Sequence, residues 1–146
     1  MRILAPLTLA AALALTLSGC FGNPVENLVE GAIEQQTGVD VDVSADGSGA
    51  SLPTGWPSEV PTPEGKILAS FGIDGNYSAT IELANDAAGQ AGLDALVAAG
   101  YTTQSEADFG GMKAFVVGNE TWTVSYSWGD DGNGSTVLNM GVVKPQ

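Results

Sequence analysis

Residues 121–128 read TWTVSYSW, the clearest strand signal in the chain. Successive side chains of an extended chain point to opposite sides, so Trp122, Val124, Tyr126 and Trp128 line one face and Thr121, Thr123, Ser125 and Ser127 the other. Aromatic and β-branched residues alternating with hydroxyls describe a strand with one dry side and one wet side. Two readings of the aromatic side are open: core beneath another layer, or an exposed stripe that recognises carbohydrate or peptide. The uniformly Ser/Thr opposite face favours core, because a half-buried strand needs one solvated side.

Working outward, Gly118-Asn119 and the run Gly129 to Gly134 supply turns on either side of this strand. Further strands are expected at Tyr101 to Glu106, Met112 to Val117 and Thr136 to Val143. Upstream, Ile67, Ala69, Phe71 and Ile73 alternate with more polar neighbours, as do Tyr77, Ala79, Ile81 and Leu83. The intervening Asp74-Gly75-Asn76 marks a β-hairpin. Asn85 or Asp86 then caps a helix with Leu93, Leu96 and Val97 on one side and Gly100 as its stop. Gly89 and Gly92 each weaken that helix by about 1 kcal/mol relative to Ala. It must therefore be held by docking, and its small residues permit a close approach to the sheet. The expected fold is α+β: a largely antiparallel sheet of five to six strands over residues 65–146, with one helix packed on one face.

Residues 20–64 precede that domain. Asn23 and Pro24 open a second helix, with Glu26 three residues beyond the cap, an apolar face of Val25, Leu28, Val29, Ala32 and Ile33, and Gly38 at its end. Its opposite stripe, Glu26, Glu30 and Glu34, argues against an anionic bilayer as its resting place. The face either docks on the domain or associates with a partner. Val39 to Val43 alternate Val and Asp, as a short strand or as linker. The block LPTGWPSEVPTPEG contains Pro53, Pro57, Pro61 and Pro63, so it runs extended, with Leu52, Trp56 and Val60 spaced to anchor it.

The chain of 146 residues has 17 Asp plus Glu, 4 Lys plus Arg and no His, a formal net charge of −13. A balance this acidic offers no cationic surface for phosphates, which sets nucleic acid and anionic bilayer surfaces aside as electrostatic partners. Without His, the commonest general base and metal ligand is missing.

Residues 1–19 have the order of a secretory signal: Arg2, an apolar run from Ile3 to Leu17, then small residues. Cys20 is the one cysteine, so no intramolecular disulfide can form and packing must hold the fold. The tetrapeptide Leu17, Ser18, Gly19 and Cys20 resembles the lipobox of bacterial lipoproteins. The resemblance implies that Leu17, Ser18 and Gly19 are read by the processing machinery, that the Cys20 thiol receives a diacylglycerol, and that Cys20 becomes the mature N-terminus. Two acyl chains anchor stably where one does not. The expected location is the extracytoplasmic face of the cell membrane.

Together the lipobox, the helix ending in EQQTG, the Val/Asp alternation and the LPTGWPSEVPTPEG block resemble small lipoproteins of high-GC Gram-positive (actinobacterial) type. That resemblance implies location and architecture and carries over no catalytic residue.

No constellation selects a reaction. Asp131-Gly132-Asn133-Gly134-Ser135 begins like a calcium loop, but Thr136 stands where that loop needs Gly and Val142 where it needs Glu, so a hairpin turn is the stronger reading. Asp40, Asp42 and Asp46 form a weaker set of the same kind. The serines lack a His partner, and Lys66, Lys113 and Lys144 have no spacing that pairs one with a nucleophile. Gly110-Gly111 is followed by Met112 and Lys113, unlike a phosphate loop. The expectation is therefore a non-enzymatic binding or accessory module without cofactor or metal, whose partner is another envelope protein. Phe109 and Met112, apolar residues around two glycines, are its candidate contacts. The alternatives are a carrier of an apolar small molecule between helix and sheet, and an enzyme using carboxylates alone.

Overall fold

The computed structural model describes residues 39–44 and 47–146. The signal segment, Leu17 to Cys20, the expected N-terminal helix and Asp46 lie outside the described residues.

Seven strands and one helix follow in chain order: β1 (Asp40–Val43), β2 (Lys66–Ile73), β3 (Asn76–Leu83), α1 (Asp86–Ala98), β4 (Thr102–Asp108), β5 (Lys113–Gly118), β6 (Thr123–Asp130) and β7 (Thr136–Val143). They form one sheet in the order β1-β2-β3-β7-β6-β5-β4, antiparallel throughout. The α+β expectation holds, with seven strands in place of five to six. The added strand is β1, and its Val/Asp alternation has a specific use. Val41 and Val43 point to one side of the sheet while Asp42 and Asp40, on the other, accept backbone N–H groups from Ser51 (2.7 Å) and Thr54. These carboxylates fix the following segment against the sheet, a long-range requirement that local alternation does not reveal.

The β2–β3 hairpin turns on Asp74 and Gly75, both at positive φ (48° and 78°), the backbone demanded by the tight turn that suits twisted strands. α1 begins at Asn85, whose side chain accepts the Ala88 N–H at 2.9 Å. It ends where Gly100, at φ 95°, lets its own N–H reach Val97 O while the Tyr101 N–H reaches Leu96 O. Tyr101 is thereby folded under the helix end and buried with Leu96. From there the chain crosses to the far edge of the sheet, and the meander β4-β5-β6-β7 returns to pair β7 with β3.

The buried stripe of α1 is Gly89, Gly92, Leu93 and Leu96. Val97, expected to share it, is 51% exposed. At 100° per residue it lies about 90° round the helix from the centre of the stripe, and Tyr101 occupies the core at that end. The aromatic face of β6 is core: Tyr126 and Trp128 are buried beneath α1, with Ile81, Leu138 and Met140 of the neighbouring strands beside them.

Residues 52–63 cover a further part of this inner face, beside Tyr77 and Trp122. Val60 is buried, Leu52 and Trp56 pack on the core as their spacing suggests, and Pro53 and Pro57 are buried with them. Trp56, Tyr77 and Trp122 form a chain of edge-to-face contacts at 6.1 and 6.3 Å. Two tryptophan N–H groups find partners on this segment: Trp56 donates to Thr62 at 3.1 Å and Trp122 to the Glu59 carboxylate at 2.8 Å. No helix among the described residues is long and apolar enough to cross a membrane.

Candidate functional site: the uncovered face of the sheet

α1 and residues 52–63 both lie on one side of the sheet, and among the described residues no element covers the other. Register then defines what the other side presents. One row runs Val41, Phe71, Ser78, Gly141, Ser125, Val116 and Ser105, and the next runs Val43, Ala69, Thr80, Asn139, Ser127, Ala114 and Ala107. Each row crosses all seven strands without a charged residue. On this face the charged strand positions of the described residues are Lys66 and Glu82, which stand directly opposite one another. In a chain of net charge −13, a neutral surface of this breadth marks where carboxylates have been kept away.

The centre of the face is small and hydroxyl-rich. Ser78, Thr80, Ser125, Ser127, Asn139 and Gly141 line a shallow depression of about 250 Å³, across which Thr80 Oγ1 lies 3.1 Å from Asn139 Oδ1. Gly141 matters here for space, since a Cβ would fall 2.6 Å from Ser125 Oγ. Apolar groups flank the centre. Val43 and Phe71 are exposed towards the β1 edge and Val143 at the end of β7.

The β4–β5 hairpin carries the two residues singled out in the sequence. Phe109 is 69% and Met112 49% exposed, and the loop is closed by the Phe109 N–H on Met112 O at 2.8 Å. Gly110 and Gly111 both adopt positive φ, and the Asp108 carboxylate accepts the Gly110 N–H at 3.0 Å. Met112 packs beside Gly129 and joins Ser127, Val137 and Asn139 around a second depression of about 240 Å³, whose rim also carries Asp130 and Asp131. The hairpin tip is therefore continuous with the uncovered face. That continuity depends on which strands are neighbours, so no local signal contains it. The neutrality of the face was legible in part, as the Ser/Thr side of TWTVSYSW.

The remaining candidates resolve into structural roles. Trp122, Tyr126 and Trp128 are buried and present no recognition stripe. In the β6–β7 turn, Asp131 Oδ1 accepts the N–H groups of Asn133 (2.8 Å) and Ser135 (3.1 Å), and Asp130 accepts that of Gly132 (2.7 Å). Those bonds, the Asn133 one foremost, hold the Asp131 carboxyl below its ordinary range. Among the described residues no group of three or more Asp, Glu, Cys or His is arranged to hold a metal ion. Asp86 is a structural hub at the first turn of α1, where it accepts from Lys113 at 3.0 Å and from the Trp128 N–H at 2.9 Å. The lysine first and the indole second depress its pKa.

Comparison with protein-family models, with curated proteins and with solved structures gives no significant match. Functional reading therefore rests on the residues themselves.

Proposed function

We propose that this chain is a lipid-anchored module on the extracytoplasmic face of a cell membrane, tethered through Cys20, which binds another envelope protein through the uncovered face of its sheet. The observation that carries the reading is the pair of uncharged rows across all seven strands, continuous with exposed Met112 and Phe109. Protein interfaces are depleted in charge at their centre and rely on close shape fit, which a flat surface of Ser, Thr, Gly, Ala and Val supplies. Desolvating it removes few charges from water, whereas docking on other parts of so acidic a chain would bury carboxylates.

The carrier reading has less room. Between α1 and the sheet, a Cβ on Gly89 would overlap Trp128 and one on Gly92 would overlap Tyr126, so at those positions helix and sheet are already in contact. Non-enzymatic binding remains the proposal because the neutral face presents hydroxyl and amide groups without a base to activate them.

Two experiments test the proposal. A photo-crosslinking residue at Ser125, in protein expressed in its own membrane, is expected to capture one discrete protein, whereas the same probe at exposed Ala91 on the outside of α1 is not. Equal capture at both positions, or none at Ser125, overturns the assignment of the face. For the tether, Cys20→Ala is expected to leave an unprocessed precursor or to release the protein from membranes; normal processing with unchanged membrane partition refutes acylation.

A further inference from the structure

A second recess lies on the inner side of the sheet, at the flank that α1 does not reach. α1 packs over β6 and β3, so the inner faces of β5 and β4 overhang beyond it. The resulting notch, about 390 Å³, is lined by Gln90 of α1, Glu106, Ala107 and Asp108 of β4, and Lys113 and Phe115 of β5. Its floor is the partly buried ring of Phe115, stacked on Trp128 at 5.6 Å and 17°. Glu106 stands directly across from Phe115, and Asp108 across from Lys113.

The polar groups of the notch have one chemical character. Lys113 is turned away from the two β4 carboxylates: its Nζ bonds both Asp86 oxygens, at 3.2 and 3.0 Å, and lies 5.4 Å over the Trp128 ring. Gln90 directs one amide N–H to Asp94 at 3.0 Å, leaving its carbonyl oxygen and a second N–H. Asp108 gives one oxygen to the Gly110 N–H, leaving the other. What remains is two carboxylates, the two ends of one amide and an aromatic face. Acceptors that outnumber donors and carry the only unpaired charge, over a π surface, match a group that has donors only and carries positive charge.

The notch also opens onto a sheet edge. Among the described residues β4 pairs only with β5, so its outer side offers backbone N–H and C=O groups to a further strand. Alternate side chains of a strand added there would point to the inner side, over Glu106 and Asp108. We infer that the β4 edge and this notch form a binding site for an extended basic segment of a partner protein, with one Arg or Lys side chain seated over Phe115 between Glu106 and Asp108. The site lies on the opposite side of the sheet from the neutral face and stands or falls separately from it.

The test uses isotope-labelled full-length chain in neutral detergent, titrated with a seven-residue Thr/Val peptide bearing a central Arg, with the same peptide bearing Gln, and with methylguanidinium alone. The Arg peptide is expected to shift the amide signals of Gln90, Glu106 to Asp108 and Phe115 saturably, and to bind about five-fold more tightly than the Gln peptide. That preference should disappear in the double variant Glu106→Gln, Asp108→Asn and weaken when salt is raised about tenfold. Both positions are exposed, so the variant keeps the wild-type spectrum elsewhere. Equal binding of the two peptides, a preference that survives the double variant, or shifts confined to other residues would overturn the site. Shifts from methylguanidinium as strong as those from the peptide would overturn the strand-addition half of it. Crosslinking from Ser125 is expected to be untouched by the double variant, which separates failure here from failure of the neutral face.

Discussion

Gly92 of α1 sits directly on the hydroxyl of Tyr126, and that hydroxyl donates to the carbonyl of Gly89 one turn earlier, at 3.0 Å in the buried interior. A glycine that weakens the isolated helix is thus what lets the helix touch the sheet. Burial raises the Tyr126 pKa, so the phenol keeps the proton that this bond requires.

Gly92→Ala should therefore destabilise the protein although Ala is the better helix former by about 1 kcal/mol. Overpacking against the phenol costs roughly 1–3 kcal/mol and outweighs the propensity gain. The double variant with Tyr126→Phe removes the clashing oxygen and should be more stable than the sum of the two single changes predicts. Thermal unfolding of all four proteins checks this. Simple additivity would show that the two residues are not in contact.

Asp86 makes the acid limb of stability partly its own. Its folded pKa lies below the unfolded value, so its contribution is fully present above about pH 4 and is lost as pH falls through the folded value. Asp86→Asn keeps an acceptor for Trp128 and removes the charge facing Lys113. The variant should melt below wild type near neutral pH, with the gap closing steadily as the solution is acidified. A gap constant with pH would rule out the charge as its source.

Tyr101 carries a different kind of group: its hydroxyl is buried and, among the described residues, meets no partner in good hydrogen-bond geometry. The nearby Asn119 side-chain oxygen is engaged by the N–H groups of Thr121 and Trp122, at 2.9 and 2.8 Å. Burial is the main cause that raises the Tyr101 pKa, with the Asn119 side chain opposing it and the Glu59 charge adding to it. Tyr101→Phe removes a buried oxygen whose polar neighbour Asn119 is already engaged, so it should leave stability unchanged or raise it by about 1 kcal/mol. A clear loss in calorimetry would reveal a partner for the hydroxyl.

For the β6–β7 turn, millimolar Ca²⁺ should leave the melting temperature where it was, because the Asp131 carboxylate serves the turn's own N–H groups. Asp131→Ala should lower it. Stabilisation by Ca²⁺ that Asp131→Ala abolishes would restore the calcium reading.

Phe109→Ser together with Met112→Ser should alter stability by no more than about 0.5 kcal/mol, as exposed positions do. The same pair should reduce capture from Ser125. Unaltered capture would detach the hairpin tip from the neutral face.

Elements whose signals are local were legible along the chain. The alternation in TWTVSYSW marked the buried side of β6, Asp74-Gly75-Asn76 the hairpin turn, Asn85-Asp86 the start of α1, with the structure choosing Asn85 as its cap, and Gly100 its end, each because backbone geometry or capping acts over a few residues. The rest depended on contacts between distant segments. β1 is a strand through its pairing with β2, with Asp40 and Asp42 accepting the N–H groups of Thr54 and Ser51, and Val97 lies off the buried stripe of α1 while Tyr101 occupies the core at that end. Neither the neutral face nor the notch beside β4 exists on a single strand. Both arise when hydrogen-bonded register places residues far apart in the chain side by side, and spacing along one segment carries no record of its neighbours.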